Sequence, residues 1–126
     1  MKSILVIEDQ PDIRRLIRWA LEFETYAIHE AANGEAGLAA ARTLKPDLVL
    51  LDVMMPGELD GLQVCRLMKA DATLAQVPVV LLTARAQDRD HEAGLQAGAD
   101  AYLTKPFSPL SLIETVGQLI GRPPST

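Results

Sequence analysis

Residues 47–56 read DLVLLDVMMP, a run of apolar residues that ends on an acid, Asp52. Leu48–Leu51 has the length and composition of a strand covered on both faces, as in parallel sheets. A carboxylate at the tip of such a strand is costly unless something pairs with it. Ile4–Ile7, VPVVLLT at 77–83 and AYLT at 101–104 are similar short apolar runs, and 26–31 is a weaker one. Between them the period changes. Residues 11–24 place Ile13, Leu16, Ile17, Ala20 and Leu21 on one helical face. Asn33-Gly34 opens a helix to about Leu44, closed by Lys45-Pro46, and Asp60-Gly61 caps another to about Lys69. Asp71–Gln76 is a loop. A helix over 87–97 ends at Gly98, and Ser108-Pro109 opens the last helix, to about Ile120. Strand and helix alternate five times, which predicts an α/β fold. The expected sheet is parallel, five-stranded and doubly wound, in order 2-1-3-4-5.

The chain has 126 residues, enough for one domain with a real core; residues 1–121 are expected to form it, with 122–126 a tail or the start of a linker. Net charge is 12 − 17 = −5, so the basic footprint of a nucleic-acid binder is missing. Cys65 is the single cysteine and reads as a small core hydrophobe. No apolar stretch reaches the roughly 18–20 residues that span a bilayer. The start, MKSILVIEDQ, turns acidic too soon for a signal peptide. The expected setting is cytoplasmic, away from membrane. His29 and His91 have no metal-ligand spacing.

In a doubly wound sheet, ligands sit beyond the carboxyl ends of the strands. Those ends carry Glu8-Asp9, Asp52, Thr83 and, after the fifth strand, Lys105-Pro106. Three clustered carboxylates repel and need a cation. Oxygen ligands at a cramped rim favour Mg²⁺, which keeps several waters and takes one or two carboxylates with a phosphate oxygen. Asp9 and Asp52 would bind it directly, and Glu8 through water. Lys105 would meet an incoming anion as a point charge. The same set suits phosphoryl transfer, with Asp52 as the nucleophile and the Thr83 hydroxyl on a phosphoryl oxygen. A cis bond before Pro106 would turn Lys105 back over the rim, but X–Pro bonds are mostly trans and trans is expected.

VIED at 6–9, DLVLLDVMMPG at 47–57, VPVVLLTA at 77–84 and GADAYLTKPFSP at 98–109 together resemble the receiver domains of bacterial two-component response regulators, over roughly residues 2–121. The resemblance implies a flavodoxin-like (βα)5 fold and phosphorylation of Asp52 by a phosphohistidine on a sensor histidine kinase or phosphotransfer protein. It implies that Glu8 and Asp9 are the acidic pair, that the Met54 backbone carbonyl joins the metal ligands, and that Thr83 and Tyr102 form the switch. On phosphorylation, Thr83 would move toward the phosphoryl group and Tyr102 inward. This would reshape the face of helix 87–97, the fifth strand and the last helix for a downstream protein or fused output domain, with a homodimer as one outcome. Such a chain is a signalling phosphoacceptor, not an enzyme beyond its own phosphotransfer and slow autodephosphorylation.

PGELDG at 56–61 is one residue longer than the common loop of the family. Asp100 is followed by Ala101, where many DNA-binding members carry a second acid, and Thr115 stands near the place of their dimer-pairing arginine. The resemblance also implies that Met54 and Arg85 occupy the two variable positions with which the family tunes loss of phosphate. Other features have plainer readings: Met54, Met55 and Met68 as gap fillers and ARAQDRDHEA as a solvated helix face. Trp19 falls off the main apolar stripe of the first helix; a half-buried structural residue is expected, with a partly exposed partner surface as the alternative. Phe107 suits packing or partner binding equally, and Tyr102 also fits a half-buried strand aromatic. An aspartate phosphatase would need an acid two residues after the nucleophile, where Met54 stands. A flavin carrier would need a phosphate loop after the first strand, where EDQPD stands. A degenerate receiver that acts only as a phosphorylation-independent binding module is the remaining alternative.

Overall fold

The computed structural model describes residues 1–55, 57–84 and 96–120. Five strands, β1 (Ser3–Ile7), β2 (Ala27–Ala31), β3 (Leu48–Asp52), β4 (Val79–Thr83) and β5 (Ala101–Thr104), form one sheet in the order β2-β1-β3-β4-β5. Every neighbouring pair is parallel. The helices among the described residues are α1 (Pro11–Ala20), α2 (Gly34–Leu44), α3 (Gly61–Ala70) and a C-terminal helix (Pro109–Ile120). The helix expected over 87–97 lies almost wholly outside the described residues, as do Arg85, His91 and the expected tail at 122–126. Gly98, at its end, has φ +91°, in the left-handed region that glycine tolerates.

The strands alternate faces with period two, and each face has its own core. Ile4, Val6, Leu48, Leu50, Val80, Leu82 and Leu103 pack with Ile17, Leu21, Leu112 and Val116 beneath α1 and the C-terminal helix. Leu5, Ile7, Val49, Leu51, Val79 and Leu81 pack with Leu38, Ala41, Val64, Cys65 and Met68 beneath α2 and α3. The β1–β3 register pairs Ile7 with Leu51. One residue further, Glu8 and Asp52 come side by side at the tips of adjacent strands.

Local chemistry ends the elements. Asn33 caps α2 through its side chain, and Lys45, in a left-handed conformation, closes it before Pro46. Asp60 and Gln63 form a reciprocal capping box on α3. Ser108 Oγ accepts from Ser111 N at 3.0 Å to start the C-terminal helix.

Several expectations are corrected. Helix α1 stops at Ala20, not near 24, because Glu22 N and Glu24 N turn back to the carbonyls of Trp19 and Leu21 and the chain must enter β2. Trp19 is 59% exposed, on the helix face away from the sheet, not half-buried. Met54 is no gap filler, being 73% exposed beyond the end of β3, whereas Met55 and Met68 are buried. Of the two readings of Phe107, its burial in the core cluster favours packing. The Lys105–Pro106 bond is cis, not trans.

Helix α3 starts against the strand tip. Gly61 N donates to the Val53 carbonyl at 3.0 Å. A Cβ on Gly61 would lie 2.1 Å from the Asp52 carbonyl oxygen and 2.6 Å from Val53 Cα, both backbone atoms that cannot give way. Gly61→Ala should therefore destabilise the fold by about 2–3 kcal/mol, the scale of overpacking in a dense site. Urea unfolding measures this, and an unchanged midpoint would contradict the packing described.

Candidate functional site

The tips of β1, β3, β4 and β5 supply the groups of the site. Glu8 follows β1 and is fully buried; its N–H is fixed on the Ala31 carbonyl at 3.0 Å. Asp9, next in the chain, is half-buried. Asp52 ends β3 and is 3% exposed. One carboxylate oxygen from each of Glu8, Asp9 and Asp52 lies within 4.8 Å of the others. Lys105 reaches back from the end of β5, its Nζ 2.7 Å from Glu8 Oε1 and 3.3 Å from Asp52 Oδ1. Thr83 ends β4, is buried, and its carbonyl accepts from Lys105 N at 2.6 Å. Met54 N donates to Asp52 Oδ1 at 3.2 Å. Tyr102 pairs with Leu81 in the sheet and is 45% exposed, so its ring stands outward. The structure thus gathers Glu8, Asp9, Asp52 and Lys105 into one cluster, with Thr83 and the Met54 backbone at its edge. Tyr102 lies on β5, three residues before Lys105.

Among the described residues the charges do not balance, since three carboxylates face one ammonium. Two unit charges 4.8 Å apart repel by roughly 3–4 kcal/mol at an effective dielectric near 20. Asp52 responds by holding its proton. Burial, then its hydrogen bond and charge contact with Glu8, push its pKa from 3.8 to about 7; Lys105 pulls the other way, and Asp9 adds to the rise. Burial lowers the Lys105 pKa, but the bonds and charges of Glu8 and Asp52 outweigh it, and the net shift is upward. Glu8 Oε1 is buried and, among the described residues, has no hydrogen-bond partner apart from its ion pair with Lys105. A hard divalent cation fits this donor set, because it supplies the missing positive charge to oxygen ligands already brought together.

Two supports were not legible in the sequence. Arg14, on α1, donates to the Glu8 carbonyl at 2.7 Å and pairs with Glu30 at 3.0 Å, which steadies the acidic tip of β1. Glu35, at the start of α2, accepts from the backbone of Glu58 and Leu59 in the loop after β3. No local pattern distinguishes these residues from surface charges. Asp60-Gly61, in contrast, was visible as a cap, and its proximity to Asp52 follows from the short β3–α3 connection.

The raised Asp52 pKa has a stability consequence. Folded Asp52 stays protonated up to about pH 7, whereas the unfolded group ionises near its ordinary 3.8. Between those values the native state binds more protons, so without divalent metal its stability falls as pH rises and levels off above about 7. Asp52→Asn removes the penalty. In EDTA the variant should be more stable than wild type by on the order of 2 kcal/mol near pH 8, with no advantage near pH 4. Urea midpoints at both pH values measure this, and equal differences would exclude the titration of Asp52 as the cause.

The family model of the response regulator receiver domain matches residues 4–117. The chain is 42% identical over 124 residues to the transcriptional regulatory protein ResD of Bacillus subtilis, covering 98% of this chain and 50% of ResD. It is 39% identical over 121 residues to the phosphate regulon transcriptional regulatory protein PhoB of Pseudomonas aeruginosa, covering 96% of this chain and 52% of that protein. The chain spans about half the length of these relatives. Among solved structures, a response regulator from Chloroflexus aurantiacus superposes with a TM-score of 0.91 at 30% identity, covering 96% of this chain and 98% of that one. The receiver domain of sensor histidine kinase PA1611 from Pseudomonas aeruginosa, which holds a magnesium ion in its active site cleft, superposes with a TM-score of 0.87 at 33% identity, covering 96% and 98%. With its sheet order, its acidic rim and a family match over most of its length, the chain belongs to the response regulator receiver domain family.

Proposed function

We propose that Asp52 accepts a phosphoryl group from a phosphohistidine on a sensor histidine kinase or phosphotransfer protein. The observation that carries this reading is a buried carboxylate at a central strand tip, flanked by two further acids and an ammonium 3.3 Å away. A carboxylate oxygen of Asp52 forms the bond to phosphorus as the bond from phosphorus to the histidine nitrogen breaks. That reaction demands positioning and charge neutralisation more than acid–base help. Lys105 lies where it can neutralise one phosphoryl oxygen, and the Thr83 hydroxyl can bond another. Asp9, Asp52 and the Met54 carbonyl would hold Mg²⁺ directly and Glu8 through water. The ion, when bound, offsets charge that Lys105 alone leaves unbalanced. An exposed Met54 two residues after Asp52 offers no acid to drive hydrolysis, which favours a phosphoacceptor over a phosphatase.

Phosphorylation adds a charge of about −1.5 to −2 at this rim. Thr83 would be drawn toward it and Tyr102 would turn inward from its exposed position, shifting the face around β5 and the C-terminal helix. The partner is a downstream protein or a fused output domain. The lengths of the matched relatives, two of them transcriptional regulators twice as long as this match, support the second. We place this domain at residues 1–121, in the cytoplasm; no helix among the described residues is long and apolar enough to cross a membrane.

Incubation with Mg²⁺ and acetyl phosphate should add the mass of one phosphoryl group. The adduct should be absent with EDTA and in Asp52→Asn, as intact mass spectrometry will show. An adduct that persists in Asp52→Asn would place the acceptor elsewhere. The bulk of Met54 beside the site predicts slow loss, on the order of hours, and a half-life near a minute would contradict that role.

A further inference from the structure

The loop between β3 and α3 runs from the phosphoacceptor to a helix start, and both ends are held. At the near end Met54 N donates to Asp52 Oδ1 at 3.2 Å. At the far end the Asp60–Gln63 capping box and the bond from Gly61 N to the Val53 carbonyl close the turn. Its middle is held by another element. Glu35 Oε1 accepts from Glu58 N at 3.0 Å and from Leu59 N at 3.1 Å. Its two carboxylate oxygens also lie 3.4 and 3.5 Å from where a Cβ on Gly57 would be, and Gly57 has φ +109°, a conformation that glycine adopts freely. Behind it, a Cβ on Gly34 would lie 2.5 Å from the Leu59 carbonyl oxygen, so the start of α2 and the loop are in direct contact. Hydrogen bonds to an ionised acceptor are stronger than neutral ones. A carboxylate in the first turn of α2 is favoured by the helix dipole as well.

We propose that Glu35 is a positioning residue that pins the β3–α3 loop and thereby sets how long a phosphoryl group survives on Asp52. The loop carries the Met54 backbone beside Asp52 and borders the path by which water reaches it. When the middle of the loop opens, that backbone loses its fixed placement and water gains access. Glu35 acts through the loop and touches no reacting atom. The inference deepens the phosphoacceptor reading and rests on it.

The test compares wild type, Glu35→Ala and Glu35→Gln. The glutamine variant keeps a carbonyl oxygen that accepts from both amides, so it should restore what alanine loses. The first readout is amide hydrogen exchange in the unphosphorylated protein. Glu35→Ala should speed exchange at Glu58 and Leu59 by about five- to tenfold, the scale of a lost hydrogen bond, without speeding it in the central strands. The second readout is the rate of phosphoryl loss after removal of the donor, which should rise about three- to tenfold with Glu35→Ala and return toward wild type with Glu35→Gln. A structural role alone would lower the urea midpoint and leave the lifetime unchanged. The proposal is overturned by unchanged exchange at the two amides, or by faster exchange with a lifetime within about twofold of wild type. If the wild type takes up no phosphoryl group, the phosphoacceptor reading fails and the lifetime claim falls with it. The exchange data then still decide whether Glu35 holds the loop.

Discussion

Lys105 Nζ stands between Glu8 and Asp52, 2.7 Å from one carboxylate and 3.3 Å from the other, and the strand tips are arranged around that pairing. The lysine is brought there by its own backbone, whose N–H is tied to the Thr83 carbonyl at the end of β4. The β1–β3 register does the rest by placing Glu8 beside Asp52. A buried pair of this kind is costly to break, because removing one partner strands the other charge away from water. Here the pairing is incomplete from the outset. Among the described residues one ammonium faces three acids, and burial with Glu8 beside it pushes the Asp52 pKa up to about 7. The rim is thus built to gain positive charge, and this underlies both the proposed cation and the proposed chemistry.

The surroundings of Asp52 divide into a rigid side and an adjustable one. Beneath it, two cores of interdigitated aliphatic side chains fix the sheet from both faces. Beside it, Gly61 lets the start of α3 approach the Asp52 backbone more closely than any other residue would allow. Above it runs a loop stapled to α2 by one carboxylate, a far weaker hold than core packing. Motions that change access to Asp52 should therefore be drawn from the loop and not from the sheet. On the other side Tyr102 stands exposed on β5, at the edge of the sheet. A strand edge and a loop are parts that can rearrange without disturbing either core.

Most of the fold was legible because parallel strands buried on both faces leave a plain signature. Leu48–Leu51 and Val79–Leu82 are unbroken apolar runs, and the helices between them carry caps of ordinary chemistry at Asn33, Asp60 and Ser108. The meeting of Glu8, Asp9, Asp52 and Lys105 was legible for a related reason: doubly wound sheets send every carboxyl end to one rim. What was not legible depends on tertiary context. The apolar periodicity of α1 runs on through Leu21, yet the helix stops at Ala20 because the chain must turn to pair Ala27 with Ser3. Met54 and Trp19 are apolar, but position decides their exposure: one lies past a strand end and the other on the outer face of a helix. Arg14 and Glu35 are common surface types, and only the folded chain shows which backbone groups they hold.

The acidic rim should take up a cation at the expense of the Asp52 proton. Calorimetric titration of the wild-type protein with Mg²⁺ near pH 7, in buffers of different ionisation enthalpy, measures both events together. The expected result is a single site whose binding releases a fraction of a proton, with the release fading at higher pH as Asp52 ionises by itself. Absence of binding at millimolar Mg²⁺, or binding with no proton released on either side of neutrality, would contradict it.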